Sequence, residues 1–299
     1  MAGKKWEWEC GGKIIFAERN TARDVKLCQS PREGVKKVST LHTGEKIQVV
    51  SWQWPGDSRV FIVPAEILEI LATYMTLTKD VIITAGHLYR EQHYPNNRMI
   101  ETSYRQLAEL LGLEWAGKRL INDLSNALTL ARWLTIHNHP VIRKLYPNGR
   151  VREFSRDTFG FIDRVSRIEI REGRKIPRNK QPLEIVISEM YASAIKKMPA
   201  APVPVAAIEA AHKAPQRLRT PVKNLTYYLA SRVPLERVKL SILTLADVLG
   251  YKSQRKDKLR RATDNVVNIL YGIVIRDYIS ENDIYTFVLA GKPIKTERK

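Results

Sequence analysis

The apolar positions of this chain fall into a pattern that occurs twice. Leu107-Ala108-Glu109-Leu110-Leu111-Gly112-Leu113 returns 138 residues later as Leu245-Ala246-Asp247-Val248-Leu249-Gly250-Tyr251. Each copy follows a helix-like segment, 65–77 in the first and 222–231 in the second. Each precedes an amphipathic helix, 117–132 with Leu120, Leu124 and Leu128 inward, and 255–271 with Leu259, Ala262, Val266 and Ile269 inward. β-branched and aromatic residues come next, Trp133-Leu134-Thr135-Ile136 in the first copy and Ile273-Val274-Ile275 with 284–289 in the second. In Leu-Ala-x-x-Leu-Gly the Ala permits close helix approach, the Leu residues fill a small core, and the Gly takes the positive φ that ends the helix. Helix, Gly turn, helix and β-hairpin is the order of a winged helix-turn-helix.

The expected fold class is therefore α+β: two tandem winged helix-turn-helix domains with a small strand-containing N-terminal extension. Pro- and Gly-punctuated stretches at 171–182 and 198–204 read as connectors, the first as the better boundary because the strand-like run 183–187 follows it. The divisions expected are 1–60 as the extension, 61–182 as the first winged helix with a basic wing and linker, 183–291 as the second, and 292–299 as a basic tail. Trp52 and Trp54 alternate in the strand-like run 47–54 and share one face, as core or as partner surface.

Charge changes the picture. The 299 residues carry 50 Lys+Arg against 31 Asp+Glu, a net +19. Such a surplus calls for a polyanion, nucleic acid first and an anionic membrane second. It is uneven: residues 61–140 carry 7 basic against 8 acidic, 141–182 carry 12 against 5, and 237–299 carry 13 against 7. No stretch approaches 18 apolar residues, so a transmembrane helix is not expected, and the first residues do not read as a signal peptide. Two cysteines, Cys10 and Cys28, exclude a disulfide scaffold and a four-cysteine zinc module and suit a reducing cytoplasm.

The second copy carries the better candidate reading helix. Ser253 is its expected N-cap, with Gln254, Arg255, Lys256 and Lys258 in the opening turn. Arg255, Lys258, Arg261 and Asn265 share much of the outer face. Arg, Gln and Asn can read base edges bidentately and Lys neutralises phosphate. The hairpin turn 280–283 is acidic, so a wing contact is expected from Arg276 or Lys292 on its flanks. The first copy offers Lys118, Arg119, Asn122 and Asn126 beside Asp123, a weaker or backbone-directed contact. The basic stretch after it, Arg143-Lys144 and 150–178, reads as its wing and a phosphate-tracking strap, with Phe154, Phe159 and Phe161 packing the hairpin against the helices.

Ser103-Tyr104-Arg105-Gln106-Leu107-Ala108-Glu109-Leu110-Leu111-Gly112, within 100–132, together with 243–289, resembles the two-winged-helix replication initiators of theta-replicating, iteron-carrying plasmids. The resemblance implies a second winged helix that reads repeated origin sites in the major groove, with Gln254, Arg255, Lys258 and Arg261 at the reading positions. It implies self-association through the first winged helix, recruitment of host initiator or helicase-loading proteins, and a prokaryotic, plasmid- or nucleoid-associated location. Residues 1–60, with Trp6, Trp8, Trp52 and Trp54, lie outside it.

No catalytic centre, metal site or cofactor is expected. Gly11-Gly12-Lys13 lacks the leading Gly of a phosphate-binding loop and runs into Ile14. His137-Asn138-His139 is set against the metal-dependent nicking nucleases, which place two His around a hydrophobic residue; here the middle residue is Asn and Pro140 follows. The alternatives to an initiator are a winged-helix transcriptional regulator or autorepressor and, behind it, such a nicking nuclease.

Overall fold

The computed structural model describes residues 5–28, 37–43, 45–53, 57–145, 151–171, 174–177, 180–251 and 255–294. The chain begins with β1 (Lys5–Trp8), β2 (Ile14–Glu18) and a short α1 (Arg19–Arg23). Strands β3 (Lys37–Thr43), β4 (Glu45–Gln53) and β5 (Val60–Pro64) lead into the long α2 (Leu68–Glu91) and β6 (Met99–Ser103). Then come α3 (Tyr104–Leu110), α4 (Lys118–Trp133), β7 (Thr135–Leu145), β8 (Val151–Gly160) and β9 (Ile162–Arg167). After them stand β10 (Ile170–Arg171), β11 (Arg174–Lys175), β12 (Pro182–Ile187), α5 (Glu189–Lys197) and β13 (Ala200–Pro204). The chain closes with α6 (Val205–Lys213), α7 (Gln216–Ala230), β14 (Arg237–Ser241), α8 (Ile242–Leu249), α9 (Lys256–Leu270), β15 (Ile275–Glu281), β16 (Ile284–Leu289) and β17 (Gly291–Ile294).

The mixed α/β chain forms two compact units. Unit 1 gathers residues 1–28, 108–114 and 199–299; unit 2 gathers 29–107 and 115–198.

Unit 1 holds a complete winged helix. Helix α7 leads into β14, α8 and α9, and an antiparallel sheet of order β14-β16-β15 follows. The sheet faces the helices with alternate residues: Val238, Leu240, Tyr285, Phe287 and Leu289 are buried, while Arg237, Lys239 and Ser241 point out. Against it pack Leu245 and Leu249 of α8 and Leu259, Val266, Val267 and Leu270 of α9, each almost fully buried.

The elements from α2 to β12, which belong to unit 2 except for residues 108–114, repeat this order. Helix α2 leads into β6, α3 and α4, and β6-β12-β9 is again an antiparallel sheet with the late strand in the middle. The local repeat runs deeper than the leucine motif. Ser103 Oγ accepts from the Gln106 amide at 3.1 Å as Ser241 Oγ accepts from the Thr244 amide at 3.1 Å. Leu113 N–H donates to the Ala108 carbonyl and Tyr251 N–H to Ala246, both at 2.9 Å, over Gly112 at φ +60° and Gly250 at φ +77°. Both motif glycines therefore take the left-handed conformation that the sequence pattern predicts.

The structure differs from the sequence divisions in three places. Residues 183–187 do not open the second domain: β12 is the central strand of unit 2's sheet, with Leu183, Ile185 and Ile187 inward. Residues 1–60 are not a separate extension. β1 pairs antiparallel with β17 and β2 with β13 inside unit 1, whereas β4 and β5 belong to a five-stranded sheet of unit 2, order β3-β4-β5-β7-β8. Residues 292–294 of the expected tail belong to β17, the strand that pairs with β1. The hairpin β7–β8 joins β5 rather than β6, so the wing of unit 2 is built from β9 and β12 with the small hairpin β10–β11 between them.

Aromatic side chains fill the cores. Trp52 is 2% exposed and stacks on Phe61, which makes it a core residue; Trp54 lies outside the described residues. Phe159 and Phe161 meet edge to face and both contact Tyr191 of α5, as the packing role predicts; the Phe154 side chain lies outside the described residues. Helix α2 runs on past residue 77 to Glu91, with Lys79 and Asp80 fully buried along it. In unit 1, Trp6 and Trp8 project to one side of β1 and meet edge to face at 5.7 Å. Gly291 gives Trp6 its room: a Cβ there would stand 2.5 Å from Trp6 Nε1 and 2.7 Å from the Glu7 carbonyl. Gly291→Ala is expected to destabilise the protein by about 1–3 kcal/mol, because the backbone of β1 or β17 must move. Thermal unfolding measures it.

Candidate nucleic-acid interface

Helix α9 is amphipathic with its two faces cleanly opposed. Leu259, Thr263, Val266, Val267 and Leu270 are buried, whereas Ala262 and Ile269, which the sequence pattern turns inward, are only half-buried. On the opposite side Lys258, Arg261, Asn265 and Asn268 are all exposed. Their spacing of three, four and three residues sets them within about 80° of one another around the helix. They form one row along it, of two cations followed by two amides. None of the four has an ion pair or side-chain hydrogen bond among the described residues.

The other basic groups near this helix are committed. Arg255, the residue before its first turn, donates to Asp257 from Nη2 at 3.1 Å and holds that carboxyl below the usual carboxylate range. Lys256 Nζ reaches Asp283 Oδ2 at 2.5 Å and Arg260 Nη2 reaches Asp283 Oδ1 at 2.7 Å. Asp283 sits in the β15–β16 turn, where Asn282 and Asp283 both take positive φ. The turn that the sequence reads as repelling phosphate is therefore neutralised by two cations of α9. Their hydrogen bonds push the Asp283 carboxyl down, so its pairs form above the carboxyl's unfolded pKa and are lost as pH falls through its lower folded value. Asp283→Asn is expected to leave stability nearly unchanged, since all three groups are solvent-screened. It frees Lys256 and Arg260, so affinity for any duplex rises severalfold and the plot of log affinity against log salt steepens by up to about 1.8. Fluorescence anisotropy across a salt series measures both.

Arg276 lies at the end of β15 away from this turn. It donates to the Leu289 carbonyl at 3.2 Å and faces Glu9 at 3.5 Å, so it braces the strands and does not join the row. Lys292 of β17 is exposed. Ser253 and Gln254 lie outside the described residues. Arg260 and Asn268 escaped the sequence reading. Asn268 was legible by helical spacing from Asn265; Arg260 had no signal without the hairpin.

In unit 2, Lys118, Arg119 and Asn122 are exposed on the first two turns of α4. Asp123 is half-buried and accepts from the Tyr74 hydroxyl at 2.9 Å, which removes it from the outer face; Asn126 is half-buried. Along the wing Arg164, Arg167, Arg174 and Lys175 are exposed. At the far end of α4 the Arg132 guanidinium stands 4.9 Å from the centroid of the Trp133 ring, which is 39% exposed. His137 lies on β7; the side chains of Asn138 and His139 lie outside the described residues. Among the described residues no group of three His, Cys, Asp or Glu could hold a metal ion, and no helix is long and apolar enough to cross a membrane. Cys10 is an exposed free thiol whose pKa is raised by desolvation.

No family model matches this chain, and no curated protein matches it. Among solved structures it is similar to domains 2 and 3 of RctB. A selenomethionine crystal form of those domains aligns at 14% identity and a TM-score of 0.48, over 91% of this chain and 97% of that one. A second crystal structure of RctB domains 2–3 aligns at 13% identity and a TM-score of 0.46, over 90% of this chain and 96% of that one.

Proposed function

We propose that this protein is a sequence-specific duplex-DNA-binding replication initiator whose main reader is α9. The observation that carries the reading is the row Lys258, Arg261, Asn265 and Asn268, exposed opposite the buried face of the second helix of a helix-turn-helix. Two cations at the N-terminal half suit a guanine edge and a phosphate; two amides further along suit adenine edges. The exposed cations of α4 and its wing supply phosphate contacts that set register without reading sequence. The net charge of +19 supports a polyanionic partner of this kind.

Two winged helices in one chain favour an initiator over a simple repressor, which commonly gains its second reading head by dimerising. In this reading the protein binds repeated origin sites, as in the iteron plasmids its motifs resemble. It associates with itself through the first winged helix, works without a catalytic centre of its own, and recruits host replication proteins. Selection from a random duplex pool at about 150 mM salt tests it, because phosphate attraction alone is already weakened there. The expected result is an enriched motif that recurs in tandem on the replicon encoding the chain. Binding that only fades with salt and enriches no motif would sink the reading.

A further inference from the structure

Outside α9, three arginines of unit 1 stand on α1 and just beyond the end of α7. Arg19, the first residue of α1, donates from Nη2 to the Val233 carbonyl at 2.8 Å. Arg232, just beyond α7, lays its guanidinium over the Tyr228 ring, 4.6 Å from the centroid, and donates to that hydroxyl. Arg23, the last residue of α1, is exposed. Burial first, and then mutual repulsion, lowers the pKa of Arg19 and Arg23. The carboxylate of Glu18, next to Arg19 in the chain, caps α1: it accepts from the Asn20 amide at 2.9 Å, the Thr21 amide at 2.7 Å and the Thr21 hydroxyl at 2.8 Å. None of the three arginines forms an ion pair among the described residues. The Nε atoms of Arg19 and Arg232 are buried and have no hydrogen-bond partner among the described residues.

A fold that brings three cations together and holds two of them by contacts to neutral groups leaves their charge unanswered, an arrangement suited to an anion that arrives from outside. We propose that Arg19, Arg23 and Arg232 form a phosphate-binding site. A phosphate group presents at least two free oxygens around one tetrahedral centre and matches planar guanidinium forks converging from different directions. The group is borne either by a nucleic-acid backbone, as a phosphodiester, or by free inorganic phosphate.

The test uses the full chain and the variants Arg23→Gln and Arg23→Lys, since Arg23 is exposed and its replacement leaves the core intact. One arm compares the Tm in inorganic phosphate with that in chloride at matched ionic strength. The other follows duplex binding across a salt series. If the site takes free phosphate, the wild type gains several degrees in phosphate and Arg23→Gln loses most of that gain. If it takes a backbone phosphodiester, Arg23→Gln lowers the salt slope by about 0.9 and Arg23→Lys restores it. The proposal is overturned if Arg23→Gln keeps both the wild-type phosphate response and the wild-type slope. The phosphate arm does not depend on α9 reading DNA, so its outcome stands whether or not a specific site is found.

Discussion

Replacing Trp8 with alanine is expected to cost unit 1 about 3–5 kcal/mol, the range for a buried large aromatic. Trp8 is 2% exposed, and its indole N–H donates to the Pro202 carbonyl at 3.0 Å. Its strand is paired with β17 through Lys5–Ile294, Trp6–Pro293, Glu7–Lys292 and Trp8–Gly291. Truncation therefore opens a cavity, orphans the Pro202 carbonyl and loosens the strand that closes the unit. Duplex binding should fall with stability, because α9 belongs to the same unit. Trp115→Ala is the control: that side chain is 41% exposed, and its loss should stay within about 0.5 kcal/mol. Urea denaturation of both variants decides the matter. Equal costs for the two would mean that the first strand is an appendage and no part of the core.

Arg261→Ala is expected to weaken specific duplex binding by about 1–3 kcal/mol and to relax preference at one base pair, as loss of a bidentate guanine contact does. Arg261 stands in the middle of the exposed row and is held by no ion pair among the described residues, so its fork is available. Lys258→Ala should act differently. It should weaken binding to all sequences alike and reduce the salt slope by about 1, the mark of a phosphate contact. Arg255→Ala should do less than Arg261→Ala, because Arg255 is already paired with Asp257. Titrating each variant against the selected site and its single-base-pair substitutions separates the three. Equal and uniform losses would reduce α9 to a phosphate cradle.

The parts of this molecule written in short-range pattern were legible in its sequence. The repeated Leu-Ala-x-x-Leu-Gly gave both helix-turn-helix cores, and the two glycines take the backbone conformation it requires. The shared exposed face of Lys258, Arg261 and Asn265 follows from helical spacing alone. The buried face runs through Thr263, Val267 and Leu270 rather than through Ala262 and Ile269, a rotation of roughly 60°, and Arg255, which precedes the first turn, is paired with Asp257 and does not join the row. Thr263 hid that rotation: it is 1% exposed, and a polar letter does not announce burial. The unit boundaries were not legible, since they rest on pairings between distant strands. Nothing near Trp6 and Trp8 says that their partner strand starts at residue 291, and nothing near 183–187 says that its neighbours are 99–103 and 162–167. The neutralised hairpin turn was hidden for the same reason, because Asp283 lies 27 residues from Lys256.

The central claim, that the exposed row of α9 lies against DNA bases, is open to one direct measurement. A photo-crosslinking amino acid is placed at Asn265, or at Asn122 of α4 for comparison, in the full chain bound to its selected duplex. The expected result is crosslinking from position 265 to bases within the recognised motif, abolished when the motif is scrambled, with weaker, sequence-indifferent crosslinks from position 122. Crosslinking from position 265 that is absent, or equally strong on scrambled duplex, would contradict the account.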